Sequence, residues 1–284
     1  MAKIIDGKEV SLYIKEKIKD ETLILKQKGI TPGLAVILVG DDPASHVYVN
    51  NKKKACEFCG FYSESYELPE QTTQKQLLEL IDCLNNNDRI HGILVQMPLP
   101  CHIDADAVVN AIDWKKDVDA FNPFNVGKIM LGDYNFLPCT PAGVMELLKY
   151  YNIDVGGKTC AVIGRSNIVG KPMSMLMLHA NATVTVCHSK TLNLKDITKN
   201  SDIIIAAIGK PRFVTADMVK NGAVVVDVGI NRGEDGKLCG DVDFDEVCKK
   251  ASFITPVPGG VGPMTIAMLM QNTLTSAKLK LQEN

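Results

Sequence analysis

No apolar run in this 284-residue sequence approaches the ~20 residues needed to cross a bilayer, and the longest, such as residues 203–208, are far shorter. A membrane-spanning role is excluded on length alone. Charge of one sign is not in excess either: 31 Lys+Arg against 33 Asp+Glu leave a formal net charge of −2, so no global basic field exists for nucleic acid or anionic lipid. Any anion site has to be local. Histidine is scarce, with five residues at positions 46, 91, 102, 179 and 188 and no metal-ligand spacing among them, so no metal is expected. The nine cysteines are odd in number and scattered, which argues against a disulfide framework and for reduced thiols in the cytoplasm. Cys56-Glu57-Phe58-Cys59 has no second pair or histidine cluster to complete a metal site. The N-terminus, Met1-Ala2-Lys3-Ile4-Ile5-Asp6-Gly7-Lys8, lacks the apolar core of a secretion signal.

What remains is an average globular composition, 46% hydrophobic and 23% charged, in a chain long enough for two domains. Residues 11–27 carry apolar positions at helical spacing (Leu12, Ile14, Ile18, Leu23, Leu25). Leu34-Ala35-Val36-Ile37-Leu38-Val39, bounded by Pro32-Gly33 and Gly40-Asp41-Asp42-Pro43, reads as a strand buried on both faces. Helices are expected over 44–58 and 73–86, and a second buried strand over 92–96, stopped by Met97-Pro98-Leu99-Pro100. After a loop-rich stretch to Pro138, Thr140 is read as the N-cap of a helix with Pro141 in its first turn. Strands then read at 159–164, 183–187, 202–206, 223–228 and 253–254, with a final helix over 264–281. Alternation of this kind defines an α/β fold with a parallel, doubly wound sheet in the second half.

Gly164-Arg165-Ser166-Asn167-Ile168-Val169-Gly170-Lys171-Pro172 stands where a strand turns into a helix, a place where backbone N–H groups hold a pyrophosphate. A P-loop does not fit, because five residues separate the glycines and Pro172 occupies the hydroxyl position. The dinucleotide fingerprint fits imperfectly: Ser166 takes the second Gly position and Gly170 arrives one residue late. At the end of the next strand, where NAD enzymes offer a carboxylate to the ribose, this chain has His188-Ser189-Lys190. With Arg165 these favour a 2′-phosphate, hence NADP, although Arg165 and Lys190 also read as ordinary solvated charges. Asp227-Val228-Gly229-Ile230-Asn231 reads as a strand-end turn by the nicotinamide, or as a plain glycine turn.

In the first half, Tyr48 and Lys52 share a helix face at i, i+4 spacing. A desolvated lysine can move protons and a tyrosine can pack on a flat substrate, but Lys52-Lys53-Lys54 equally reads as a solvated run. Gln96 ends a strand at the carboxyl edge of a sheet, and Asp117-Val118-Asp119 offers two carboxylates in a loop. Pro256-Val257-Pro258-Gly259-Gly260-Val261-Gly262-Pro263 is read as a ligand-covering loop or a plain connection.

Taken in order along the chain, Tyr48-x-x-x-Lys52, Gly92-Ile93-Leu94-Val95-Gln96-Met97-Pro98-Leu99-Pro100, Lys116-Asp117-Val118-Asp119, Pro138-Cys139-Thr140-Pro141, the Gly164–Pro172 block and Pro256 to Pro263 resemble the bifunctional methylenetetrahydrofolate dehydrogenase/methenyltetrahydrofolate cyclohydrolase family. The resemblance implies a folate-binding catalytic domain of residues 1–139 plus 263–284, a Rossmann-like NADP domain of residues 140–262, and a cleft between them. It implies that Lys52 handles protons in the hydrolytic step, Gln96 orients it, Tyr48 packs on the folate and Asp119 grips the pterin edge. Val95, Met97, Pro258, Gly259, Gly260, Val261 and Gly262 join these on the substrate. Thr140, Gly164, Arg165, Ser166, Val169, Gly170, His188, Ser189 and Ile230 are implied to hold NADP. A homodimer acting on folates, polyglutamylated forms included, is implied as well. The family often has Gly then Phe-His-Pro where this chain has Ala120-Phe121-Asn122-Pro123, which puts the geometry of that loop in question. Two further readings stand beside this one: a noncatalytic NADP-binding sensor, and an amino-acid or hydroxy-acid dehydrogenase on the same sheet.

Overall fold

The computed structural model describes residues 1–233 and 236–283. Along the chain run β1 (Lys3–Ile4), α1 (Gly7–Gln27), β2 (Gly33–Val39), α2 (Pro43–Cys59), β3 (Tyr62–Leu68), α3 (Gln74–Asn85), β4 (Gly92–Val95), α4 (Ala105–Ala111) and α5 (Pro123–Leu131). There follow α6 (Cys139–Tyr150), β5 (Thr159–Ile163), α7 (Gly170–His179), β6 (Thr183–Cys187), α8 (Leu194–Lys199), β7 (Ile203–Ala206) and β8 (Val224–Asp227). A short hairpin of β9 (Asn231–Arg232) and β10 (Leu238–Cys239), then α9 (Phe244–Cys248), β11 (Phe253–Ile254) and α10 (Val261–Glu283), complete the order. The chain divides into two compact α/β units, one of Leu12–Leu137 with Ile266–Asn284 and one of Met1–Ser11 with Pro138–Thr265.

The first unit is built on a parallel sheet in the order β3-β2-β4. Every residue of β2 is buried, as its unbroken apolar run requires. Ala35, Ile37 and Val39 pack with Ile93 and Val95 of β4, with Leu77, Ile81 and Leu84 of α3, and with Ile103, Val108 and Ile112. Thr73 caps α3 with a reciprocal bond to Gln76. The edge strand β3, Tyr-Ser-Glu-Ser-Tyr-Glu-Leu, carries too little apolar alternation to be read from sequence and forms because it pairs with β2 along its whole length. Helices α4 and α5 were likewise not anticipated; both are short and start on side-chain caps, Asp104 and Asn122.

The second unit is a six-stranded sheet in the order β1-β11-β8-β7-β5-β6, with every pairing parallel. Ile204, Ala206, Val225 and Ile254 lie in its core with Val214, Val219, Val242 and Val247. Because β6 lies on one side of β5 and β7 on the other, the chain reverses its winding there, and the carboxyl ends of β5 and β7 form the switch point at which such sheets bind ligands.

Four sequence expectations need correction. Residues 1–11 belong with the second unit, since Lys3 pairs with Phe253 and Ile5 N donates to Ile254 O. Helix α1 starts at Gly7, where Asp6 Oδ1 accepts from Lys8 N and Glu9 N. Thr140 is not an N-cap: α6 starts at Cys139 behind Pro138, with no side-chain cap, and Thr140 lies in its first turn. At the other end of the unit α10 starts at Val261, so Val261 and Gly262 are helical.

Candidate active site

Helix α2 turns Val49, Ala55, Cys56 and Cys59 inward. Lys52 falls between Val49 and Cys56 on that stripe and is half-buried, whereas Lys53 and Lys54 are exposed. The lysine run is therefore a solvated face only in its second and third members. Lys52 Nζ donates to Gln96 Oε1 at 2.7 Å. Gln96 follows β4 directly, its backbone N donates to Ile37 O at 2.8 Å, and its Nε2 donates to Met97 O at 2.7 Å. With both ends of the amide occupied, its oxygen is turned to the lysine. Tyr48 lies one helical turn before Lys52 and is 39% exposed, free to meet a flat ligand with its ring. Val95 is buried, Met97 half-buried, and the Met97-Pro98 bond is cis.

Asp117 and Asp119 have different fates. Asp117 is buried; its Oδ2 accepts from Asn122 N and Asn125 Nδ2, both at 2.8 Å, and its carbonyl accepts from Ala120 N at 3.1 Å. Burial raises its pKa and these bonds oppose the rise. It is the hub of its loop. Lys116 also turns inward, donating to Leu84 O and Asn87 O behind α3. Asp119 stays half-buried beyond the hub. The loop is seated on β4 through the Ile93↔Asp117 bridge, which needs Gly92, because a Cβ there would come within 2.7 Å of Val118. Both departures from the family pattern are structural. Ala120 takes φ 56°, a conformation glycine holds more easily, and Asn122 caps α5 while donating to Ile112 O.

In the second unit Gly164 has φ 136°, and a Cβ on it would meet Ala207 O at 2.2 Å; one on Gly170 would meet Gly164 O at 2.3 Å. The strand-to-helix turn packs backbone against backbone at the switch point, the place where such sheets receive a pyrophosphate. Ser166 in place of the second glycine has a physical account: its Oγ accepts from Val169 N at 3.2 Å and Gly170 N at 3.3 Å, binding up amides at the start of α7. The Ile163↔Cys187 register and the Gly164 N to Cys187 O bond set Arg165 beside His188 and Ser189 on neighbouring strand ends. Arg165, Ser189 and Lys190 are exposed and His188 is half-buried, with its backbone N donating to Thr191 Oγ1. These groups fit a dinucleotide bearing a 2′-phosphate.

Residues 258–262 also lie in this second unit. Gly259, at φ 107°, accepts from Gly7 N, and Gly260 N donates to Pro256 O; a Cβ on Gly7 would stand 1.7 Å from Gly260 O, so the segment is a fixed turn. A Cβ on Gly262 would touch Ile230 Cδ1 at 3.9 Å, so a residue expected on the substrate and one expected on the cofactor are neighbours. Sequence reading missed Asp241, a fully buried carboxylate between the loops after β7 and β8. The only sequence sign of it is the Gly240-Asp241 pair, with no periodic context. All nine cysteines are free, and burial pushes the Cys56 thiol up to about 12 and Cys59 to about 11, so neither is poised for ligation. Among the described residues no group of three or more His, Cys, Asp or Glu side chains is arranged to hold a metal, and no helix is long and apolar enough to cross a membrane.

A two-unit α/β protein with a dinucleotide cradle in one unit and a lysine–glutamine pair at a strand end in the other is thus defined. Residues 5–119 match the family model of the tetrahydrofolate dehydrogenase/cyclohydrolase catalytic domain, and residues 138–281 that of its NAD(P)-binding domain. The chain belongs to the tetrahydrofolate dehydrogenase/cyclohydrolase family. It is 63% identical to the bifunctional protein FolD of Agathobacter rectalis over 98% of this chain and all of that one. Among solved structures it is similar to the bifunctional FolD methylenetetrahydrofolate dehydrogenase/cyclohydrolase of Campylobacter jejuni, at TM-score 0.96 and 57% identity, over 99% of this chain and 100% of that one. It also resembles the Trypanosoma brucei enzyme solved with NADP and an inhibitor, at TM-score 0.94 and 41% identity, over 99% of each chain.

Proposed function

We propose that this chain oxidises 5,10-methylenetetrahydrofolate to the 5,10-methenyl form with NADP⁺ and hydrolyses that product to 10-formyltetrahydrofolate, in one-carbon metabolism. The observation that carries the reading is the 2.7 Å bond from Lys52 Nζ to Gln96 Oε1. NADP⁺, when bound, supplies the hydride acceptor. Gly164, Ser166, Val169 and Gly170 form the turn its pyrophosphate lies against, Thr140 and Ile230 lie along it, and Arg165, His188 and Ser189 take its 2′-phosphate. The methenyl carbon is already an electrophile, so water needs little activation, but the ring opens only when protons move off the incoming oxygen and onto the departing nitrogen. Lys52 moves them, held in place by Gln96, while Tyr48 packs on the folate and Asp119 accepts from its amino-pyrimidinone edge. Val95 and Met97 shape the rest of the folate surface in the same unit.

Retention of Lys52 and Gln96 as a bonded pair favours turnover over a noncatalytic cofactor sensor. We place the enzyme in the cytoplasm as a homodimer acting on folates that include polyglutamates; nine free thiols suit a reducing compartment. Purified protein mixed with methylenetetrahydrofolate and either NADP⁺ or NAD⁺, with reduced cofactor and methenyl chromophore followed separately, tests the reading. Reduced cofactor and a transient methenyl signal are expected with NADP⁺; absence of both overturns the assignment.

A further inference from the structure

Two buried carboxylates at the carboxyl edge of the six-stranded sheet have no part in the chemistry above. Asp241 is fully buried. Its Oδ2 accepts from Ile208 N at 2.6 Å and Gly209 N at 3.0 Å, and its Oδ1 from Lys210 N and Asn231 Nδ2, both at 2.8 Å. Three successive amides of the loop after β7 therefore converge on one acid, the arrangement by which backbone nests bind anions, filled here by the chain's own side chain. Asp227, the last residue of β8, completes the device: its Oδ1 accepts from Gly229 N and Asp241 N, and its Oδ2 from Val242 N, each at 2.9 Å. The fit is close enough to dictate glycine at two positions. A Cβ on Gly229 would meet Asp241 Oδ1 at 2.3 Å, and one on Gly240 would meet Asp227 Oδ2 at 1.8 Å.

The segments so fixed lie at the carboxyl ends of β7 and β8, beside the switch point. Residues 208–210 follow directly on Ala207, whose carbonyl lies against Gly164 at the switch point. Ile230, half-exposed, stands between Gly229, which is bound to Asp227, and Asn231, which is bound to Asp241. A core that needed only to be filled would use apolar side chains here; seven donors gathered on two acids instead fix the path of two loops.

We propose that Asp241 is a positioning residue for the bound dinucleotide: it holds the loops after β7 and β8 in the form that receives the nicotinamide half of NADP⁺, and Asp227 holds Asp241. The inference rests on the dinucleotide site proposed above. Asp241→Asn keeps the shape but puts an NH2 where one carboxylate oxygen stood, so two of its four donors face another donor and the acid no longer ties all of them together. In the full-length protein the variant is expected to raise the Kd and KM for NADP⁺ about tenfold, with kcat at saturating cofactor and cofactor-free hydrolysis of the methenyl substrate within about twofold of the parent. Asn231→Ala, which removes one donor and leaves the acid in place, is expected to raise the NADP⁺ KM about threefold with an unchanged melting temperature. A folded Asp241→Asn protein with unaltered NADP⁺ affinity overturns the proposal, and so does equal loss of both activities. If Asp241→Asn does not fold, unaltered affinity in Asn231→Ala overturns it. Should the parent protein itself bind neither NADP⁺ nor NAD⁺ in the same titration, the dinucleotide reading fails first and takes this inference with it.

Discussion

Lys52 reaches from the inward stripe of α2 to Gln96 at the end of β4, and the 2.7 Å bond between them joins a group that can carry a proton to one that can only orient it. The two residues therefore predict different lesions. Lys52→Met should abolish methenyl hydrolysis while leaving hydride transfer measurable, because only the hydrolytic half needs extended proton movement. Gln96→Ala, which leaves the lysine without its guide, should lower both, hydrolysis by about a hundredfold. Rates of formyl product and reduced cofactor, taken on the same preparations, separate the outcomes; hydrolysis at the parent rate in Lys52→Met removes the role assigned to it.

Arg165 stands on the strand end next to His188 and Ser189, and its side chain is exposed. Arg165→Ala should weaken NADP⁺ by about ten- to hundredfold and NAD⁺ hardly at all, since it removes a charge-assisted contact to the 2′-phosphate only. The ratio of the two KM values is the measurement, and equal losses would move Arg165 onto the pyrophosphate.

Asp117 and Asp119, two positions apart, should separate folding from binding. Asp117→Ala strands the donors of Asn122 and Asn125 inside the loop and should lower the unfolding free energy read from urea titration by roughly 1–3 kcal/mol for each lost partner. Asp119→Ala should lower stability less than Asp117→Ala does and raise the folate KM about ten- to hundredfold, the effect of losing a charged partner worth roughly 1.5–3 kcal/mol. A large stability loss in Asp119→Ala with normal folate binding would reverse the assignment.

His91 predicts an acid-sensitive stability. Burial, with Lys280 and Lys116 nearby, pushes its imidazole down to about 4, and its Nδ1 accepts from Gly33 N at 3.1 Å, which only the neutral ring can do. The unfolded chain, with a histidine pKa of ~6.5, binds the proton first on acidification. The contribution is therefore whole above about pH 6.5 and is lost as pH falls toward 4. Urea unfolding of parent and His91→Gln across that range checks it: the parent should lose stability faster, and parallel curves would refute the claim.

The buried strands were legible because a two-sided core needs continuous branched apolar residues, as in Leu34 to Val39 and Ile203 to Ile205. The edge strand β3 was not, since residues such as Glu64, held by the hydroxyls of Tyr62 and Tyr66, owe their place to pairing rather than to pattern. Lys52 was ambiguous inside a run of three lysines until burial separated it from its neighbours. Asp117 and Asp241 were hidden for a shared reason: a carboxylate that serves as an acceptor for loop amides has no periodicity, and the donors it needs come from segments that sequence order does not bring together.

The pairing of β1 with β11 has a bearing on synthesis. Lys3 waits for Phe253, so the first strand has no sheet to join until most of the chain has left the ribosome. The other unit waits as well, because Asn272 donates to Val118 O and Ser276 to His91 O from the final helix. Neither half can close in the order in which it is made, and loss of the last dozen residues would expose apolar surface in a nascent chain otherwise ready to fold.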